Sequence, residues 1–135
     1  MSDTIEETEK PAKEINTALC FGRHPIKTNE GVDVTDSIFG EIPSEHINDF
    51  DWLKERCVEW FLKIDTMKTH KINVYVTGLT QALTSFVAVW TELRLFYHHV
   101  DFWHFNIDTK KYVCNAMSDN RILELAGIDL EDDEE

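Results

Sequence analysis

The chain has too few cysteines to build a covalent or metal scaffold. Only Cys20, Cys57 and Cys114 are present, they are widely spaced, and no two of them form a CxxC pair. An odd number of thiols flanked by apolar residues excludes a disulfide framework and is typical of small core residues in a reducing compartment. We therefore expect three free thiols and no cysteine metal site.

The sequence also lacks a long apolar run. Its longest runs, such as residues 85–90, fall far short of the about 20 residues that a membrane-spanning helix requires. Residues 1–7 contain acids where a secretion signal needs basic residues and an apolar stretch. The sequence therefore predicts a cytoplasmic protein that makes no membrane contact.

Basic residues are scarce, because 13 lysines and arginines oppose 26 aspartates and glutamates and the formal net charge is −13. Such a charge repels nucleic-acid backbones and anionic lipid surfaces at long range. Binding to duplex nucleic acid or to a membrane surface is therefore not expected as a general function.

Much of the negative charge lies at the two ends of the chain. Residues 1–13 hold four acids and two bases, and residues 129–135 hold six acids and no base. We expect both ends to be disordered tails around one domain, residues 14–128. Two hypotheses for the C-terminal tail stay open: it improves solubility, or it imitates a phosphate backbone and occupies the basic groove of a protein partner.

What remains is enough for one hydrophobic core, since 42% of the 135 residues are apolar and 11% are aromatic. Apolar residues at helical spacing predict helices, and β-branched or aromatic runs predict strands. The predicted strands are residues 16–22, 38–43, 71–78, 100–105 and 111–115, and the predicted helices run from Asp49 or Asp51 to Asp65, from 79 to 97 and from 119 to 126.

The alternation of strands and helices predicts an α/β fold. We expect a small three-layer sandwich with a mostly parallel central sheet, right-handed crossovers and a C-terminal hairpin. In such sheets, ligands bind beyond the carboxyl ends of the strands, where loops lead into helix N-termini. Two loops at these ends carry unusual residues and form the predicted site.

The first loop is Gly22-Arg23-His24-Pro25, which directly follows the first predicted strand. Arg23 is a permanent cation that can clamp a phosphate with two hydrogen bonds, and His24 is an imidazole that can transfer a proton near neutral pH. The alternative is a structural loop in which Arg23 pairs with a nearby carboxylate.

The second loop, Thr77-Gly78-Leu79-Thr80-Gln81, joins the central strand to a helix. The free N–H groups and the positive dipole end of a helix N-terminus attract anions. Gly78 lets the backbone approach closely, and Thr77 or Thr80 can donate a hydroxyl proton to a phosphate. The same residues also suit an ordinary strand-to-helix turn with Thr80 as N-cap.

This loop belongs to the longer segment Ile72-Asn73-Val74-Tyr75-Val76-Thr77-Gly78-Leu79-Thr80-Gln81-Ala82-Leu83. The segment resembles CRISPR-associated Rossmann-fold (CARF) domains, in which a hydrophobic strand is followed by Thr-Gly-Gly-Thr-Lys and a small-residue helix. The resemblance implies a Rossmann-like domain that senses or degrades cyclic oligonucleotides, with Thr77, Gly78 and Thr80 on matching motif positions. Leu79 and Gln81 stand where the family has glycine and lysine, and the missing lysine lowers the expected phosphate affinity. Family members pair two sheets around a symmetric ligand, so a homodimer is expected.

We expect no cofactor and no metal ion. His98 and His99 follow a predicted helix end, where imidazolium interacts favourably with the dipole, and His104 shares a strand face with apolar Phe102. No nucleophile lies at short spacing from a base, so the sequence leaves enzymatic activity open. For phosphodiester cleavage, His24 would handle the proton while Arg23 and helix N–H groups stabilise the developing charge.

The leading hypothesis is a module that binds a small phosphorylated ligand, a cyclic or linear oligonucleotide signal of prokaryotic or phage defence. Its predicted binding residues are Gly22, Arg23, Thr77, Gly78, Thr80 and Gln81. The alternative from another class is an acidic protein without enzymatic activity that blocks a nucleic-acid-handling partner. A third hypothesis is a structural or assembly factor that has no ligand.

Overall fold

The computed structural model describes residues 14–22, 24–64, 69–93, 98–117 and 121–128. The predicted tails and Arg23 lie outside the described residues. The strands are β1 (Glu14–Ala18), β2 (Asp36–Ser37), β3 (Lys71–Tyr75), β4 (His99–Asn106) and β5 (Lys111–Ala116), and the helices are α1 (Phe50–Lys63), α2 (Thr80–Glu92) and α3 (Arg121–Leu125).

The five strands form one sheet in the order β2-β1-β3-β4-β5. β1 pairs in parallel with both β2 and β3, and β3 pairs in parallel with β4. β5 runs antiparallel to β4. The predicted α/β class and the mostly parallel sheet are confirmed.

The first long helix begins where its capping residue predicts. The Asp49 side chain accepts a hydrogen bond from the Trp52 N–H at 3.1 Å, which satisfies one of the free donors of the first turn. The residues at spacings of three and four are buried on one face of α1: Leu53, Cys57, Trp60 and Phe61. The predicted amphipathic helix is therefore confirmed, and it ends at Lys63.

Both long helices cover the same face of the sheet, because two crossovers step across the sheet in one direction. α1 connects β2 to β3 and α2 connects β3 to β4, and right-handed crossovers that move the same way place their helices on the same face. Ile72 and Val74 alternate toward that face and are fully buried in a core that contains apolar residues of both helices.

The step from β1 to β2 runs in the opposite direction, and residues of its connection pack on the other face. Ile26 and Val34 form a second small core there with Ala18 and Tyr75. This connection is a loop without a helix, and the Val34 N–H closes it by donating to the Ile26 carbonyl at 2.8 Å. The loop forms one side of the cleft described below.

Several element boundaries differ from the predictions. The short strand predicted at 38–43 is wrong, since β2 is formed by Asp36 and Ser37 and the chain after Phe39 turns toward Ser44–His46, a 3-10 turn. The predicted first strand, 16–22, ends in regular pairing at Ala18. The helix predicted at 79–97 ends at Glu92, and residues 94–97 lie outside the described residues.

Among the residues that the structure describes, no helix has both the length and the apolar character needed to cross a bilayer.

Candidate ligand-binding cleft

A cleft of about 560 Å³ opens beyond the carboxyl ends of β1 and β3. The chain steps from β1 to β2 in one direction and from β3 to β4 in the other, so the two following loops diverge above the sheet. Open α/β sheets bind ligands at this kind of switch point, and the volume falls within the roughly 300–1,000 Å³ of small-molecule sites.

Three parts of the chain line the cleft. The connection after β1 contributes residues 20–22 and 24–26, and the segment after β3 contributes residues 76–78. The third part is the β4–β5 pair, which contributes Phe105 and Tyr112. No permanently charged side chain of the described residues lines this cleft, and most of its wall is apolar or aromatic.

The cleft brings together several residues that the sequence predicts for the site: Gly22, His24, Thr77 and Gly78. Thr80 and Gln81 do not belong to the described lining. Thr80 is the exposed first residue of α2, and the Gln81 amide donates to the Asn48 side-chain oxygen at 3.0 Å. The N-cap position is Leu79, which makes no side-chain capping bond, so the alternative with Thr80 as N-cap is not what the structure contains.

The Thr77 side chain joins the loop after β3 to the loop after β1 by hydrogen bonds. Its hydroxyl donates to the Cys20 carbonyl at 2.7 Å and accepts from the Cys20 N–H at 3.1 Å. The Cys20 Sγ lies 3.4 Å from the same hydroxyl oxygen. Because the hydroxyl proton is already used, Thr77 shapes the floor of the cleft in this structure and does not offer that proton to a ligand.

Gly78 forms a tight turn directly after Thr77. Its φ is +59°, and the Leu79 N–H donates to the Thr77 carbonyl at 2.7 Å across it. Residues with a side chain rarely adopt this φ, whereas glycine does so without steric cost. A Cβ added at Gly78 meets no atom within 4 Å, so the requirement for glycine comes from the backbone conformation.

His24 lies exposed on the wall of the cleft. Its side chain makes no hydrogen bond or ion pair to any residue of the described ranges. The imidazole is therefore free to meet a ligand from this position.

An aromatic wall closes the cleft on the side of β4 and β5, and the sequence analysis missed it. The rings of Phe105 and Tyr112 meet edge to face with centroids 5.3 Å apart, and Tyr112 meets Tyr75 in the same way at 4.9 Å. Burial raises the pKa of the Tyr112 phenol, which keeps it protonated near neutral pH. The alternation in β4 places Phe105 on the face of Trp103, but no local signal shows that this face adjoins the first loop.

No metal centre is evident among the described residues, where no group of three or more histidine, cysteine, aspartate or glutamate side chains can hold an ion. His98 is instead buried beside His70 at the start of β4, with ring centroids 5.3 Å apart.

Comparisons of the chain with family models, with curated proteins and with solved structures find no match.

Proposed function

We propose that the cleft binds a small phosphorylated ligand, an oligonucleotide signal of the cyclic class, and that the domain is a Rossmann-like module in which the loop after β1 takes the place of the helical layer on one face of the sheet. The observation that carries the proposal is the location of the cleft at the switch point between β1 and β3. Loops at this point present main-chain groups to a ligand while the sheet holds them rigidly.

The main chain of the cleft offers hydrogen-bond donors for an anion. The N–H groups of Gly22 and Gly78 have no hydrogen-bond partner among the described residues. A Cβ at either position meets nothing within 4 Å, so a ligand can approach the backbone closely. Free main-chain donors on two loops of one cleft suit the oxygens of a phosphorylated ligand.

Arg23 is the candidate cation of this site from the sequence, because both of its neighbours, Gly22 and His24, line the cleft. A guanidinium donates two parallel hydrogen bonds to a phosphate and suits this role better than lysine. Thr80 and Gln81, which the sequence also predicts as ligand contacts, stand outside the described lining and are not needed for the binding that we propose.

Cleavage is a further part of the proposal. His24 is the imidazole among the described residues of the cleft, and it is the candidate to move a proton in phosphodiester cleavage. The N–H groups of Gly22 and Gly78, with Arg23, would stabilise the charge that develops on the phosphate oxygens. We expect His24→Ala to bind ligand with little change and to lose product formation, as followed by chromatography of the nucleotide products.

The binding test is titration calorimetry with cyclic dinucleotides, cyclic tri-, tetra- and hexanucleotides and their linear forms. We expect heat from at least one of these compounds, and we expect Arg23→Ala and Gly78→Val to lower the affinity at least tenfold. Gln81→Ala is the matched control, because its amide bonds Asn48 away from the cleft. Absence of heat with every compound contradicts the proposal.

The cyclic ligand class also sets an expected oligomeric state. A cyclic oligonucleotide has repeated identical units, and two copies of one site around its axis would contact equivalent units. We expect a homodimer that is strengthened by the ligand, which light scattering coupled to size-exclusion chromatography measures directly.

A further inference from the structure

A second groove of about 340 Å³ adjoins the cleft. It shares with the cleft the lining residues Pro25, Phe105 and Tyr112, so the two depressions lie next to each other at the aromatic wall. The second groove is lined by lysines on two sides, with Lys27 from the loop after β1 and Lys110 and Lys111 from the turn before β5 and its first residue.

The charge of this groove is opposite to that of the chain. Acids outnumber bases two to one in the sequence, with 26 against 13, yet the described lining holds three lysines and no carboxylate. Lys110 and Lys111 form no ion pair with a described residue. Lys27 lies 3.7 Å from the Asp33 carboxylate, but both side chains are largely exposed, and such pairs hold their partners weakly.

Two hydrogen bonds between the Asn29 side chain and the main chain of Tyr112 join the two sides of the groove. The Asn29 amide donates to the Tyr112 carbonyl at 2.9 Å, and its oxygen accepts from the Tyr112 N–H at 2.8 Å. Asn29 thereby bonds the edge of β5 as a neighbouring strand does, across 83 residues of sequence. On the other side of the groove, Lys110 lies in a turn with a φ of +62°, and the Lys110 N–H donates to the Asn106 carbonyl at 2.8 Å.

Phe105 lies between the cleft and the groove and is exposed to solvent. The Phe105 side chain is 51% exposed although its ring borders both the cleft and the groove. An aromatic ring at such a border can stack a nucleobase, and base stacking on aromatic side chains is tolerant of base identity.

We propose that the lysine groove takes the phosphate groups of a nucleotide whose base stacks on Phe105 at the border of the cleft. This inference rests on the proposed function and deepens it, because it assigns one base of the ligand and a phosphate beyond the cleft to particular side chains. Lysine ammonium groups bind phosphate oxygens as charge-assisted donors, and three of them on one groove offset the repulsion from the acidic chain.

The test uses three probes in titration calorimetry: the 5′-phosphorylated linear diadenylate pApA, adenosine and ribose 5-phosphate. Because the base and the phosphate bind adjacent surfaces, we expect pApA to bind at least tenfold more tightly than either fragment. Lys110→Gln combined with Lys111→Gln should weaken pApA about tenfold and leave adenosine unchanged, since each lost charged contact costs several-fold in affinity.

Matched controls separate a local contact from a general effect of charge or hydrophobicity. Lys54→Gln combined with Lys63→Gln changes the net charge equally on exposed positions of α1, and we expect no change in pApA affinity. Phe105→Leu should weaken both pApA and adenosine about tenfold. Phe50→Leu removes a ring of similar exposure, 45%, away from the cleft and should weaken neither.

The outcomes distinguish this inference from the proposed function on which it rests. Equal loss of pApA affinity in the two double-lysine variants, or no loss in either, overturns the lysine groove, and unchanged adenosine affinity in Phe105→Leu overturns the stacking position. Either result leaves the cleft as the ligand site when the cyclic compounds still give heat that Arg23→Ala removes. No binding of any of the three probes to the unmodified protein also overturns the inference, and the cyclic panel then decides the proposed function separately.

Discussion

The hydroxyl of Thr77 exchanges two hydrogen bonds with the main chain of Cys20, which lies 57 residues earlier in the sequence. This pair of bonds joins the loop after β1 to the loop after β3 at the base of the cleft. Thr77→Val has nearly the same shape and removes both bonds, which leaves the Cys20 N–H and carbonyl unsatisfied.

We expect Thr77→Val to lower the free energy of unfolding by roughly 1–3 kcal/mol, because a buried polar group that loses its partner keeps its full desolvation cost. Denaturant unfolding measures this value. Thr77→Ser retains the hydroxyl and is the matched control, with an expected loss smaller than that of the valine variant. Equal losses in the two variants would show that the methyl group and its packing matter more than the hydrogen bonds.

Gly78 provides a second prediction, about the turn that follows. Its φ of +59° is strained for any residue with a Cβ, so Gly78→Ala should lower the free energy of unfolding by about 1–2 kcal/mol. Gly22→Ala is the control, since Gly22 lies in the same cleft, has no positive φ and leaves open space for a Cβ. We expect the control to change stability by no more than about 0.5 kcal/mol. If Gly22→Ala also lowered the free energy of unfolding, the added methyl groups would destabilise the protein for a reason other than the backbone φ.

The buried pair His70 and His98 predicts how stability depends on pH. Burial lowers the pKa of His98 below its ordinary value of 6.5, and the His70 imidazole lowers it further. His98 Nδ1 accepts a hydrogen bond from the His70 N–H at 3.1 Å, and a protonated imidazole has no acceptor left for it.

The His98 imidazole therefore binds a proton more readily in the unfolded chain than in the native chain. The free energy of unfolding is at its full value above pH 6.5 and falls as the pH decreases through 6.5 toward the native pKa of His98. Denaturation midpoints between pH 8 and 5, measured in about half-unit steps, check this dependence. His98→Asn keeps an acceptor without a titrating group and should flatten the decline below pH 6.5, whereas an unchanged slope would assign the dependence to other groups.

The cysteines predict a clear order of chemical reactivity. Cys57 lies on the buried face of α1 and is fully buried, and burial raises the pKa of its thiol well above the usual range. Cys114 is exposed on β5. An aromatic disulfide reagent should modify Cys114 first in the native protein and Cys57 only after denaturation, because the thiolate is the reactive form.

Mass spectrometry of peptides from the modified protein identifies the labelled residue. Cys114→Ser should remove the fast phase, and Cys57→Ala should leave it intact while it lowers stability. Fast labelling of Cys57 in the native protein would require α1 to open far more often than a buried helix does.

Local sequence patterns predicted the elements that depend on nearby residues. The Asp49 cap and the spacing of Leu53, Cys57 and Trp60 predicted α1 to within two residues at its end, because capping and helical periodicity act within a few turns. The β-branched and aromatic run predicted β3 in the same way. The polar pair that forms β2 has no such pattern, and its pairing depends on Thr17 and Ala18, which are distant in sequence.

The same distinction between local and long-range effects applies to the residues of the candidate site. The rule that ligands bind at the carboxyl ends of parallel strands was sufficient to select the two loops that contain Gly22, His24, Thr77 and Gly78. Phe105 and Tyr112 had no signature, since an aromatic residue on an edge of a sheet is most often part of the core.

The amino-acid sequence by itself determined where the long helices and the central strand form, and it predicted the two loops that border the cleft. Only the tertiary structure decided that the chain steps outward in opposite directions from β1 and β3, and that Asn29 bonds Tyr112 across 83 residues. The physical reason is the sequence distance over which each interaction acts. Helix caps and helical periodicity depend on neighbours within a turn or two. Strand order and a groove between distant lysines depend on hydrogen bonds and burial that form when the whole sheet assembles.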